Sequence, residues 1–197
     1  MLMIIKKILV LLCLVLGVSI SSFAQDSLYT IPLQWRDETG TPARLSQYQG
    51  RPVIITMTYT TCQSACPLIM QKLRKIESEI AEPKNVEFVV VTFDPSVDTP
   101  KALLKHKKAY QVEDSYWHFL NGTEETTRKL SLLLDIGYQK NNETGHFVHD
   151  NKILLLDAEG KITVTLDGLD AQIEPILNVL GKRHLSFFEK VKRFILR

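Results

Sequence analysis

Cysteine is scarce in this chain, with three in 197 residues, at positions 13, 62 and 66. That is too few for a disulfide framework of the kind that staples small exported domains. No predominantly apolar run reaches the roughly 18 residues that a membrane-spanning helix requires. Lysine and arginine outnumber acids by only 24 to 22, so the basic excess of a nucleic-acid-binding domain is missing and no nucleic-acid partner is expected. There is no internal repeat and no low-complexity segment. Proline is absent between Pro100 and Pro175.

The N-terminus carries Lys6 and Lys7, an uncharged, largely apolar stretch from Ile8 to Ile20, and then Ser21-Ser22-Phe23-Ala24 before Gln25-Asp26. This is the n-region, h-region and small-x-small site of an export signal. Cleavage is expected after Ala24; an uncleaved signal would act as an anchor. Either way the expected location is exported, periplasmic or extracytoplasmic. Removing residues 1–24 takes away Cys13 and both lysines, leaving a neutral chain of one domain whose only cysteines are Cys62 and Cys66.

Val53 to Tyr59, after Arg51-Pro52, is rich in β-branched residues and predicts a buried central strand. Beyond Cys66-Pro67, Leu68, Ile69, Leu73, Ile76 and Ile80 recur at helical spacing. The cysteines therefore fall at a strand-to-helix junction. A second strand is expected over Val86–Phe93, a helix over Lys101–Tyr110 capped by Thr99 or Asp98, a short strand at Trp117–Leu120 and a helix over Glu124–Leu134. Lys152–Asp157 and Lys161–Leu166 predict an antiparallel hairpin, and Asp170 a cap for a last helix through Leu180. The sum is the α/β class, a mixed central sheet flanked by helices in thioredoxin-like order, with an added N-terminal β-hairpin before residue 51. The organisation expected is a signal segment at 1–24, a domain at 25–181 and a basic amphipathic tail at 182–197.

A thiol becomes a nucleophile or a metal ligand as its thiolate, which a helix N-terminus favours through its partial positive charge. Positions i and i+4 share one side of a helical turn, so Cys62 and Cys66 can bond to each other when oxidised or converge on one ion. A bridge across so small a loop constrains the unfolded chain little, so sulfur chemistry rather than stapling is expected. Thioredoxin-like oxidoreductases place two residues between their cysteines and a cis-proline loop against them; this chain has three, and where the proline belongs it has His149. Two thiolates and an imidazole suit copper, as Cu(I) or Cu(II), whereas zinc accepts the same donors but usually takes a fourth protein ligand.

From Ile55 to about Gly168 the chain resembles the Sco/SenC family of thioredoxin-like copper proteins. The resemblance rests on Thr58-Tyr59-Thr60 with Cys62, Cys66 and Pro67, on Val91-Thr92-Phe93-Asp94-Pro95-Ser96-Val97-Asp98-Thr99-Pro100, and on a histidine before an apolar strand ending Asp157-Ala158-Glu159-Gly160. It implies copper delivery to the dinuclear centre of cytochrome c oxidase subunit II, or reduction of that centre's cysteines, with Cys62, Cys66 and His149 as copper ligands and the cysteines as the redox pair. Another exported copper or thiol protein is the alternative partner. Asp94 and Asp98 match family positions near the site and are assigned to loop structure and capping.

Between its cysteines this chain carries Gln63-Ser64-Ala65, where relatives commonly have proline first and an acid last. Its histidine is flanked by Val148 and Asp150 rather than aspartate and serine. Asp150 is placed to orient the imidazole. His146 competes with His149 as ligand; His106, His118 and His184 are expected at the surface or in packing, as are Tyr59 and Tyr138. A general extracytoplasmic thiol-disulfide oxidoreductase needs the cysteines without the histidine. A thiol peroxidase would need an arginine at the sulfurs, and Arg74 lies further along the same helix.

The tail carries six basic residues against Glu189, with Leu185, Phe188, Val191 and Ile195 on one helical face. Such a helix either lies on an anionic membrane surface or packs its stripe on the domain. If it lies on the membrane, deleting residues 183–197 abolishes co-sedimentation with anionic liposomes. Unchanged binding contradicts that placement.

Overall fold

The computed structural model describes residues 27–112, 115–141 and 143–183. The expected leader at 1–24, and the tail from 184 on, lie outside these. The described chain starts with a 3-10 turn, Leu28–Thr30, followed by β1 (Trp35–Arg36) and β2 (Pro42–Ala43). These pair antiparallel as the expected hairpin, only two residues to a side. Its turn is organised by Asp37, whose carboxylate accepts from the Thr39 and Thr41 amides.

Strands β3 (Val53–Thr58), β4 (Glu87–Thr92) and β5 (Trp117–Leu120) are parallel, with α1 (Ala65–Glu79) and α2 (Pro100–Ala109) making the crossovers. Every residue of β3 and β4 is buried, as strands covered on both faces must be. After α3 (Glu124–Leu133) come two short strands, β6 (Tyr138–Lys140) and β7 (Phe147–His149), then β8 (Lys152–Leu156), β9 (Ile162–Asp167) and α4 (Glu174–Leu180). The five-stranded sheet runs β5-β4-β3-β8-β9, with β8 antiparallel to β3 and β9 antiparallel to β8. This mixed sheet between helices is the thioredoxin-like arrangement.

Strand alternation divides the core. Val53, Ile55 and Met57 face a cluster with Val89, Val91, Trp35, Leu130 and Leu134. Ile54, Val90 and Leu155 face Leu73, Ile76, Leu103, Ile176 and Leu177. The sulfurs and Phe93 belong to the first cluster, which fixes the side of the sheet on which the site forms.

The structure chooses between the two cap candidates and differs from expectation in two details. Thr99 alone caps α2, accepting from the Ala102 amide at 3.3 Å, with Pro100 in the first turn; Asp98 is turned inward. Asp170 does not cap α4: the loop continues to Ile173, a buried residue that anchors the chain before Glu174 opens the helix. The β6–β7 hairpin is an element the sequence pattern does not announce. Beyond α4, the Arg183 amide donates to the Glu79 carbonyl at 2.7 Å, tying residue 183 to the end of α1. No helix among the described residues is long and apolar enough to cross a membrane.

The N-terminal hairpin is pinned to the sheet by Glu38. Its carboxylate, almost wholly buried, accepts from Lys107 Nζ at 2.5 Å and from the Phe119 amide at 2.9 Å. Removing one member of such a pair strands the other without water. Glu38→Ala is expected to cost about 3 kcal/mol in urea unfolding, and a change within a few tenths of a kcal/mol contradicts the assignment.

Candidate metal centre

The loop between β3 and α1 is shaped by a carboxylate beneath it. Asp98 is fully buried, and its oxygens accept from the Thr60 amide at 2.9 Å, from the Thr60 hydroxyl, and from the Thr92 hydroxyl at 2.5 Å. The loop closes with the Cys62 amide donating to the Tyr59 carbonyl at 3.2 Å. α1 then begins at Ala65, so only Cys66 is helical. The cysteines meet through this turn rather than through the i, i+4 periodicity of a helix.

Ser64 stands at the N-cap but makes no capping bond. The Cys62 sulfur takes that place, accepting from the Cys66 amide at 3.4 Å, and so lies at the positive end of α1. The Ser64 hydroxyl approaches the same sulfur at 3.9 Å. Both cysteines are free thiols and buried.

Burial opposes the Cys62 thiolate, yet the hydrogen bonds offered by the Cys66 thiol and by the Cys66 and Ser64 amides outweigh it and lower the pKa to about 7. Cys66 moves the opposite way. Its burial, followed by its hydrogen bond to Cys62, holds it protonated.

His149 arrives from the far side, as the last residue of β7. Its Nδ1 lies 2.9 Å from the Asp150 carbonyl, an oxygen that can only accept, so Nδ1 is the donor there and Nε2 is the nitrogen turned to the sulfurs. Nε2 is 4.0 Å from Cys66 Sγ, and the two sulfurs and Nε2 all lie within 4.8 Å of one another. Asp150 thus orients the imidazole by its backbone carbonyl. Its carboxylate instead accepts from the Gly137 amide at 2.8 Å, and its own amide donates to the Gly137 carbonyl at 2.9 Å, closing the base of the hairpin.

Aromatic rings seat this hairpin. Phe93 packs at 4.9 Å from Tyr138 and 4.8 Å from His149; Tyr59 packs at 5.0 Å from Phe147 and accepts from its amide at 3.3 Å. Tyr59 and Tyr138 are therefore packing residues here. Alternation along β7 puts Phe147 and His149 on the inward face, leaving Val148 and His146 outward and exposed. This separates His149 from its competitor His146.

Asp94 is buried and accepts from Ser96 and Lys140. His106 lies between Tyr110 and Phe119, and burial lowers its pKa so that it stays neutral. His118 pairs with Glu87 at 2.6 Å. His184 lies outside the described residues, and Arg74 is exposed on α1.

The donor set is soft, with two sulfurs and one nitrogen. Among the described residues it has no fourth cysteine, histidine or carboxylate, which suits three-coordinate copper better than a structural zinc site. Sequence reasoning placed Asp98 in the loop structure near the site but not its threonine partners, and it did not find the packing role of Phe93, or Phe147 and Lys140 on the hairpin. Phe147 was detectable in principle, as the inward neighbour of His149 two residues before it.

The divided acidities predict a divided reactivity. In the reduced protein, iodoacetamide should modify Cys62 first, at a rate that rises through pH about 7 as the thiolate forms, with Cys66 slower throughout; peptide mapping by mass spectrometry reads both. Modification of Cys66 first, or a rate rising only near the ordinary cysteine value of about 8.5, contradicts it.

The SCO1/SenC family profile matches residues 23–183. A protein of Stutzerimonas stutzeri named as copper-binding is 26% identical over 157 residues, covering 74% of this chain and 76% of that protein. A SCO1/SenC family lipoprotein of Bacillus anthracis superposes with a TM-score of 0.66 at 25% identity, over 75% of this chain and 89% of that one. Bradyrhizobium japonicum ScoI, solved with copper bound, shares the fold with a TM-score of 0.61 at 22% identity, over 76% and 96% of the two chains. With the family pattern matched across the whole described fold, this chain belongs to the SCO1/SenC family.

Proposed function

We propose that this chain is an exported protein that holds one copper ion, as Cu(I) or Cu(II), through Cys62, Cys66 and His149. It passes the ion to the dinuclear copper centre in subunit II of cytochrome c oxidase, or to another exported copper or thiol protein. The observation that carries the reading is the meeting of two thiols and an imidazole nitrogen within 4.8 Å from segments 83 residues apart. The Stutzerimonas stutzeri relative, named as copper-binding, supports it.

Copper is cargo here, and the surroundings suit cargo that must leave. Cys62 gives up its proton near neutrality, so binding costs little in proton release. His149, only half-buried, sits next to Val148, which is 76% exposed; a recipient can approach from the hairpin side. The leader at 1–24 supports export, and the basic tail supports contact with an anionic membrane surface beside the recipient.

A second reading is favoured by the unequal thiols. As a thiol-disulfide oxidoreductase, the Cys62 thiolate attacks a partner disulfide and forms a mixed disulfide. The Cys66 thiol then attacks Cys62 Sγ, and the partner leaves as a dithiol while Cys62 and Cys66 are left joined.

Anaerobic copper titration of the reduced protein separates the two. One copper per chain is expected, with a thiolate-to-Cu(II) charge-transfer band for the cupric form that is lost in Cys62→Ala, Cys66→Ala and His149→Ala. Full-strength binding by His149→Ala removes the ligand assignment. Target-disulfide reduction that survives His149→Ala, in a protein that takes up no copper, establishes the oxidoreductase.

A further inference from the structure

The hairpin that carries His149 stands outside the main sheet, with β6 and β7 pairing, among the described residues, only with each other. Its ring contacts with Phe93 and Tyr59 are apolar, and such contacts tolerate sliding over a range of about 4.5–7 Å between ring centres. Two interactions from the side are directional: the Phe147 amide donates to the Tyr59 hydroxyl at 3.3 Å, and the hairpin's only ion pair among the described residues joins Lys140 to Asp94. Lys140 Nζ, on β6, lies 3.2 Å from Oδ1 and 3.1 Å from Oδ2 of Asp94, whose carboxylate is only 7% exposed. The same ammonium stands 5.1 Å from the centre of the Phe147 ring.

Asp94 connects to the other half of the site. Its amide donates to Thr92 Oγ1 at 2.9 Å, the Thr92 hydroxyl donates to Asp98, and Asp98 holds Thr60 at the head of the cysteine loop. An unbroken polar path thus runs from the hairpin to the loop.

We propose that Lys140 is a positioning residue: its ion pair with Asp94 latches the hairpin in the place that brings His149 Nε2 to the sulfurs, and so sets the preference of the site between cuprous and cupric copper. The latch stands on geometry alone; the copper preference rests on the function proposed above. Two thiolates satisfy the soft cuprous ion, whereas cupric copper draws on nitrogen donors. Loosening the hairpin therefore penalises Cu(II) selectively.

The test has two arms on the reduced full-length protein. In the first, without copper, NMR contacts between the His149 and Phe93 rings are expected to vanish in Lys140→Met and to return in Lys140→Arg. In the second, Cu(II) affinity of Lys140→Met falls about tenfold, as for loss of groups that orient metal ligands, with its charge-transfer band weakened, while Cu(I) affinity holds and Lys140→Arg restores the wild-type values. Asp94→Asn with Lys140→Met leaves no bare buried carboxylate and is expected to behave as Lys140→Met.

Retained ring contacts in Lys140→Met, equal losses of Cu(I) and Cu(II), or wild-type behaviour of the double variant each overturn the latch. If the wild-type protein binds neither ion, the proposed function fails instead, and the ring contacts decide the latch.

Discussion

A single buried carboxylate sets the geometry from which the site follows. Asp98 lies beneath the cysteine loop with no exposure to water, and its charge is tolerable only because Thr60 and Thr92 supply donors. Those donors come from the end of β4 and from the loop just past the neighbouring parallel strand β3, so satisfying Asp98 fixes where the chain leaves β3. Once that exit is fixed, the Cys62 sulfur falls at the start of α1, where the Cys66 amide meets it. The helix terminus and the cysteine spacing act together: a free amide that Ser64 could have capped is given to sulfur instead.

The remaining donor depends on different forces. His149 rides on a hairpin of three-residue strands held by rings, by Asp150 at its base and by Lys140 at its side. One half of the site is thus rigid and hydrogen-bonded, and the other is an added piece docked onto it. The delivery role proposed above would draw on that division, since the docked half can yield without disturbing the core.

The central strands were legible in the sequence because a strand buried on both faces must be apolar and β-branched throughout, as Val53 to Thr58 and Glu87 to Thr92 nearly are. The helices announced themselves by spacing and by the Thr99-Pro100 start. What stayed hidden was decided by tertiary contact. Asp98 and Thr99 were equal candidates for one cap, and only the threonines above Asp98 choose between them. Asp170 had the right chemistry for a cap but the wrong distance. The β6–β7 strands are too short and polar for periodicity to mark, so His149 seemed to lead into β8 when it closes a strand of its own. The cysteine pair was placed at the right junction for a reason only half correct, since Cys62 precedes the helix. Asp150 was expected near the imidazole, and it acts there through its carbonyl rather than its carboxylate.

In the proposed function, three side chains from two separately held pieces of backbone share one copper ion. X-ray absorption of the copper-loaded protein tests it most directly, by resolving the sulfur and nitrogen scatterers around the metal. Two sulfurs and one imidazole nitrogen are expected in the cupric protein, with the imidazole signal lost in His149→Ala. An imidazole signal that survives in His149→Ala, or a shell containing one sulfur, would contradict it.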